Sequence, residues 1–494
     1  MSNEKQYKNR IQENALVATL AYFYHGRIRP LQKGHRLQRY TGSRSAAGIW
    51  PRGVGKPRVA FICDDMTWAN FSPLCEAVAL DPSNWRSKME KHRPEIFFCE
   101  SAWTGIQGSP LGWRGKIYKN HKVLFENRRE LLEILCYCRD HGIKTVFWNK
   151  EDPVYFGSDT YDFTDTALRF DYLFTTAQEC VERYQALGHH HVDVLRFGFN
   201  PTLFNPLGKK QGNAAVFAGS WYADLPQRCE QMRQCFSILE EAQIPLTIYD
   251  RHSGGGAEDG RNRYPEEYQT MVRPAVEYAR LGQVLKEYEY GVNINTVTAS
   301  RTMFARRVFE MMACGLKIIS NASEGMKELF PGRVWYLGEP QPDWSQGIVE
   351  ENLRQVFLKH TMEVCFYDML RSIGEPVPAG PKVLVLWKDV SQEQMESRSK
   401  ELSYDRLEHV LWSDRKTAPS PADYGIILEA DTPLPDLEFW LTQRAFLPKD
   451  CGICAGGPRF QIAQQRERTG VLLPWEQLHR YLDGIDEEIP VYHV

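Results

Sequence analysis

From Arg58 to Gly338 the chain alternates short, continuous apolar runs with longer amphipathic stretches. RVAFICD, EIFFCES, IKTVFWN, DYLFTT and VDVLRFG form a first series. AAVFAGS, PLTIYD, YGVNINT, LKIISN and RVWYLG form a second. Apolar runs without polar alternation, separated by helices, predict parallel strands covered on both faces. Each series therefore predicts one Rossmann-like domain. The Pro- and Gly-rich stretch FNPTLFNPLGKKQGN lies between them and reads as an interdomain junction.

The pattern divides the chain into four parts: 1–55, a helical lead-in ending in the linker GIWPRGVGKPR; 56–205; 206–373; and 374–494 after the linker EPVPAGP. The segment from Gly347 to Ile373 reads as helical and is expected to cross back to the first domain. In the last part KVLVLW, EHVLWSD and DYGIILEAD predict three strands of a small α/β appendage.

Residues 301–321, RTMFARRVFEMMACGLKIISN, carry the most informative pattern. Phe304, Val308, Met311 and Met312 share one helical face, Gly315 stops the helix, and a buried strand follows. Ser300 is the expected N-cap of a helix starting near Arg301. Glu310 is expected on its polar side near Arg306 and Arg307, where a plain helical ion pair would also account for it.

This segment resembles the signature of GT-B glycosyltransferases of the family-4-like and CgeB-type branch. The resemblance spans about 300 residues, from ESAW to NASEG. It implies two Rossmann-like domains facing across a cleft, with an acceptor in the first and a nucleotide-sugar in the second. By the same resemblance Glu310 holds the donor ribose. The loop at Gly219 and Ser220, with Arg228, holds the diphosphate through backbone N–H groups and charge. Ser300, Arg301, Thr302 and Met303 lie near that diphosphate, Arg306 and Arg307 add charge to the leaving group, and Asp250 and Arg251 lie near the base. Many relatives carry a second glutamate eight positions before the first; here that position is Thr302. The donor sugar and the stereochemical course are therefore open. A UDP-sugar is the first choice of donor, with no tightly bound cofactor and no metal. The acceptor is a hydroxyl on a glycan, a teichoic-acid-like polymer, a protein or modified DNA.

Strand ends in the first domain supply candidate catalytic carboxylates: Asp65, Glu100 and Asp152, with Asp64 and Glu151 beside them. One of them would act as general base on the acceptor hydroxyl. Trp68, Trp103, Trp148 and Tyr155 are suited to stacking on sugar rings. Helix capping and turn formation are the plain alternatives for Asp64, Asp65 and Asp152. The appendage faintly resembles a degenerate GT-A fragment, with Glu429, Ala430 and Asp431 at the position of its metal-binding triplet. Packing, dimerisation or acceptor docking suits it better than a second active site.

Hydrophobic content of 43% excludes global disorder, and a net charge of −3 excludes a broad basic field for nucleic acid. The polar start lacks the apolar core of a signal peptide, and Ala15–Tyr24 is too short to span a bilayer. Twelve cysteines within apolar segments suit a reducing cytoplasm, and Cys451 and Cys454 read as structural. His189, His190 and His191 read as a solvated loop. A homodimer is compatible with all of this, and so is a non-catalytic scaffold on the same frame.

Overall fold

The computed structural model describes residues 15–24, 56–109, 112–210, 212–253, 262–417 and 422–494. Most of the predicted lead-in, including its linker before Lys56, lies outside these residues, as do Gly254 to Arg261. Within the lead-in Ala15–Phe23 is a helix.

Six strands build the first sheet: β1 Arg58–Ile62, β2 Glu76–Ala79, β3 Ile96–Glu100, β4 Lys144–Asn149, β5 Tyr172–Thr175 and β6 Val192–Val194. Their order is β2-β1-β3-β4-β5-β6, all parallel. Residues Ile96 to Glu100 are wholly buried because helices cover both faces. The register sets Glu100 level with Trp148, and Asn149 level with Thr175, so these polar strand ends share one edge.

The second sheet has β7 Ala215–Ala218, β8 Leu246–Asp250, β9 Val272–Pro274, β10 Tyr290–Asn293, β11 Lys317–Ser320 and β12 Trp335–Tyr336. Its order is β12-β11-β10-β7-β8-β9, again all parallel. Gly315 adopts φ +75 between the helix Arg307–Ala313 and β11, a left-handed turn that glycine makes without strain.

The chain passes between the two sheets twice at one place. Phe199 N donates to His360 O at 3.0 Å, and Met362 N donates to Phe199 O at 2.9 Å. The helix Met362–Ser372 then packs beneath the first sheet, with Phe366 5.2 Å from Phe71. Gly198 has no room for a side chain here: a Cβ would lie 2.8 Å from Cys365 Sγ and 2.9 Å from His360 O.

The C-terminal part is larger than the expected three strands. It adds β13 Val383–Trp387, β14 Leu407–Leu411, β15 Tyr424–Leu428, β16 Gly452–Cys454, β17 Ile462–Gln465, β18 Leu472–Pro474 and β19 Ile489–His493. Together they form a mixed sheet in the order β14-β13-β15-β18-β16-β19-β17. One continuous apolar core runs from Val216 and Met312 in the second unit through Leu353 and Phe357 to Trp440 and Tyr492. The Glu429 carboxylate at the end of β15 accepts from Lys388 Nζ at 2.7 Å. His189 also departs from the expected solvated loop: it is buried, its Nε2 2.9 Å from Phe170 O. Among the described residues no helix is long and apolar enough to cross a membrane.

Candidate active site

The loop after β7 is built around two arginines. Arg307 Nη1 donates to Ala218 O at 2.8 Å, and Arg228 Nη1 donates to Ser220 O at 3.0 Å. Gly219 between these carbonyls is required by space: a Cβ would lie 2.8 Å from Arg307 Nη1 and 2.6 Å from Phe217 Cζ. Tyr264 OH closes the loop from the other side, donating to Gly219 O at 2.8 Å.

Neither guanidinium has a carboxylate within ion-pair distance among the described residues; each bonds a neutral carbonyl. Burial holds both below the usual arginine range, and Arg228 adds to the effect on Arg307, which is held down to about 10. A third cation is close. Arg251 Nη2 bonds Tyr222 OH, and the Tyr222 ring lies 5.0 Å from the Arg228 guanidinium and 5.9 Å from that of Arg251. Buried cations without a counter-charge are costly, so the loop's charge suits an anion. Asp250, at the end of β8, is buried and accepts from His252 N at 3.2 Å.

Glu310 lies next along the same edge, and its environment corrects the sequence reading. It is 2% exposed, not on a polar face. Its Oε1 accepts from Arg306 Nε at 2.7 Å and from Tyr278 OH at 2.9 Å. The plain helical pair with Arg306 therefore exists, but a second bond from Tyr278 makes it a triad around the buried Glu310 carboxylate. Oε2 receives no hydrogen bond from the described residues.

The helix bearing Glu310 also begins later than expected, at Arg307. Residues 300–303 cross instead to the first unit. Ser300 Oγ donates to Glu179 Oε2 at 3.0 Å and accepts from Met303 N at 3.0 Å. Thr302 Oγ1 donates to Thr176 O at 2.7 Å and accepts from Gln178 N at 2.8 Å. Met303 packs against the apolar core of the first unit. Tertiary bonds to the neighbouring unit thus replace the first helical turn that periodicity predicted. Arg301 points away and pairs with Glu328 at 3.2 Å, 65% exposed.

The first unit presents its strand ends to Glu310. Asn70 stands against Tyr278, and Glu100 lies close enough to act on Arg306 electrostatically. Glu100 is fully buried and accepts from Asp64 N at 2.8 Å and from Lys150 Nζ at 2.8 Å, with Thr67 Oγ1 also bonded. Asp65 is exposed and accepts from Gln107 N at 2.7 Å. Glu151 accepts from Trp103 Nε1 at 2.9 Å, and burial raises its carboxyl above the usual range. Around it Trp103, Tyr155 and Tyr161 meet edge to face, 5.3–5.5 Å apart.

Asp152 is fully buried and accepts from Asn149 Nδ2 at 2.9 Å, Thr175 Oγ1 at 2.7 Å and Tyr184 OH at 3.0 Å. Burial outweighs these bonds and pushes its carboxyl up to about 7, from 3.8. A carboxyl raised on folding favours the fold while protonated. Its stabilisation is complete below pH 3.8 and is lost as pH rises towards about 7. Asp152→Asn is therefore expected to flatten the fall in melting temperature between pH 5 and pH 8. Parallel pH profiles of the two proteins would refute this.

Tyr222, Tyr264, Tyr278, Asn70 and Lys150 were not legible as site residues. Tyr222 follows the Gly219–Ser220 pair by two positions, the one sequence signal available. The others reach the site only through the packing of separate elements.

Residues 233–360 match the family model described as glycosyl transferase-like. Solved structures similar to the chain include HepE from Anabaena, in complex with UDP and glucose: 11% identity, 65% of this chain and 100% of that one, TM-score 0.39. A glycosyltransferase from Rickettsia africae aligns at 8% identity over 64% and 98%, TM-score 0.41. Sucrose-phosphate synthase from Thermosynechococcus elongatus aligns at 11% over 60% and 82%, TM-score 0.37. No curated protein matches the chain. The chain holds two Rossmann-like units with all-parallel sheets, and within the second of them residues 233–360 match the glycosyl transferase-like model.

Proposed function

We propose that the protein is a glycosyltransferase that moves a sugar from a nucleotide-sugar donor, a UDP-sugar as first choice, to a hydroxyl of a larger acceptor. The observation carrying this reading is the pair Arg228 and Arg307, two guanidiniums bonded only to the carbonyls flanking Gly219. A diphosphate supplies the anion they lack. As the donor bond breaks, negative charge grows on the leaving diphosphate, and fixed cations there lower the barrier. Glu310 is oriented by Arg306 and Tyr278 through Oε1, so Oε2 is the acceptor for the ribose hydroxyls.

On the facing edge Trp103, Tyr155 and Tyr161 form an aromatic shelf for an acceptor sugar. Of the strand-end carboxylates, Glu100 is committed to Lys150, Thr67 and Asp64, and Asp152 to three internal donors. Asp65 is exposed but bonded to Gln107 N. Glu151 lies beside the aromatic shelf, and its raised basicity suits a general base. One observation favours the scaffold reading: Thr302, at the position of the second glutamate of the related enzymes, binds the first unit instead.

A thermal-shift and calorimetric screen against UDP, GDP, CDP, TDP and ADP tests the donor site. Binding of one nucleotide is expected, and no shift with any of them would leave the scaffold reading. Glu310→Ala is expected to abolish measurable affinity for that nucleotide. It should also cost about 1–3 kcal/mol of stability, because Arg306 and Tyr278 lose their buried partner. Unchanged affinity by calorimetry would remove Glu310 from the site.

A further inference from the structure

A cavity of about 1180 Å³ lies between the second and third units, away from the cleft. Its floor is the entry edge of the second sheet, where Lys317 opens β11 and Tyr290 opens β10. Gly219, Asn293 and Ser320 stand at the opposite ends of these parallel strands, so the sheet separates the cavity from the arginine loop. Its walls come from Trp344 on one side and from Arg459 and Phe460 of the third unit on the other.

The charge of this cavity is not balanced. Lys317 Nζ is 2.9 Å from Glu289 Oε1, and Lys209 Nζ is 4.0 Å from Oε2 of the same carboxylate. Two ammonium groups thus share one carboxylate. At the rim Lys210 pairs with Glu287 at 2.5 Å, and Arg459 pairs with Glu350. The excess positive charge therefore lies inside the cavity, at Lys317 and at Lys209, whose Nζ also donates to the neutral Tyr288 O. Trp344 places its ring 5.8 Å from Lys317 Nζ, and its buried Nε1 has no hydrogen-bond partner among the described residues. An indole ring beside the Lys317 ammonium suits a sugar ring that carries an acidic group: the ring stacks while the acid pairs with lysine. The volume exceeds the usual 300–1,000 Å³ of small-ligand sites, so it suits several sugar rings better than one.

We infer that the cavity between the second and third units is a binding site for an acidic oligosaccharide, held by Lys209, Lys317 and Trp344. The site does not depend on the reading of the cleft. It gives the third unit a role: an anionic glycan is held behind the donor sheet, on the side opposite the chemistry.

The test titrates the full chain with tetragalacturonate and with maltotetraose, by calorimetry and tryptophan fluorescence. Tetragalacturonate is expected to bind and alter the fluorescence, while the neutral tetrasaccharide of equal length does not bind. Lys209→Gln combined with Lys317→Gln is expected to weaken binding roughly ten-fold or more. Lys317→Gln alone, at a partly exposed position, keeps the test open if the double variant does not fold. Trp344→Leu should remove the fluorescence change and weaken binding. Galacturonate alone should bind much more weakly than the tetrasaccharide. UDP titration of the same variants reads the cleft separately: intact UDP binding with lost oligosaccharide binding supports two sites. No binding of tetragalacturonate at millimolar concentration, or equal binding by wild type and the lysine variants, would overturn the inference.

Discussion

Arg307→Met is expected to weaken nucleotide binding by about 10–100-fold while leaving the melting temperature unchanged or raised. The two effects have one cause. Arg307 is a half-buried cation held down to about 10 by burial and by Arg228, and it bonds only Ala218 O. Without ligand it is a desolvated charge with no counter-charge at bonding distance. Methionine fills similar space and keeps the contact with Phe217, so the apo protein loses little and is relieved of the charge. With a diphosphate bound, the same change removes a charge-assisted hydrogen bond. Arg228→Met should behave alike, and Arg307→Lys should recover part of the affinity, because it restores charge without the planar fork. Calorimetry with UDP beside a melting curve separates the arms. A variant that binds as wild type would take this loop out of the donor site.

Removal of residues 375–494 is expected to give an insoluble or unfolded product, not a smaller active enzyme. Leu353, Val356 and Phe357 are at most 2% exposed and belong to the core shared with the third sheet. Phe357 lies 6.2 Å from Phe439 and 6.0 Å from Phe446. Gly208 N donates to Phe460 O at 2.8 Å, and Arg354 pairs with Asp436. Each large apolar side chain returned to water costs about 1.5–3 kcal/mol. Three of them approach the whole stability of an ordinary domain, about 5–15 kcal/mol. Sedimentation and a melting curve of the truncated chain decide the matter. A monomer melting cooperatively near the wild-type temperature would show the third unit to be dispensable.

The sequence made the two parallel sheets legible where strands are buried on both faces. Continuous apolar runs such as Phe97–Phe98–Cys99 and Ile318–Ile319 have no other use in a chain of this size. β2 and β9 were missed for the opposite reason. Both are edge strands, and Glu76 and Arg273 are exposed, so burial imposes no uninterrupted run. In the third sheet β16 and β18 have three residues each, too short for any periodic signal. The start of the Glu310 helix was misplaced because Phe304 keeps helical spacing while Ser300 and Thr302 bind the first unit. Local pattern carries no record of such a partner. The arginines of the site were legible as residue types near glycine and a strand end. Their lack of a counter-charge was not, since it depends on what the fold leaves out of reach.

The double crossing at Phe199 and Thr361 has a consequence for synthesis. The lower face of the first sheet, with Phe98 and Trp148 and with Phe71 of the helix Asp65–Phe71 beside them, is closed by Met362, Phe366 and Leu370. A ribosome delivers the sheet long before that helix. At about 5–20 residues per second the half-covered sheet waits roughly 10–30 s while the whole second unit is made. The second unit in turn waits for strands as late as β19 to complete its core. Neither Rossmann-like unit can therefore mature independently on the ribosome. The nascent chain carries two open apolar faces at once, the condition in which aggregation competes with folding.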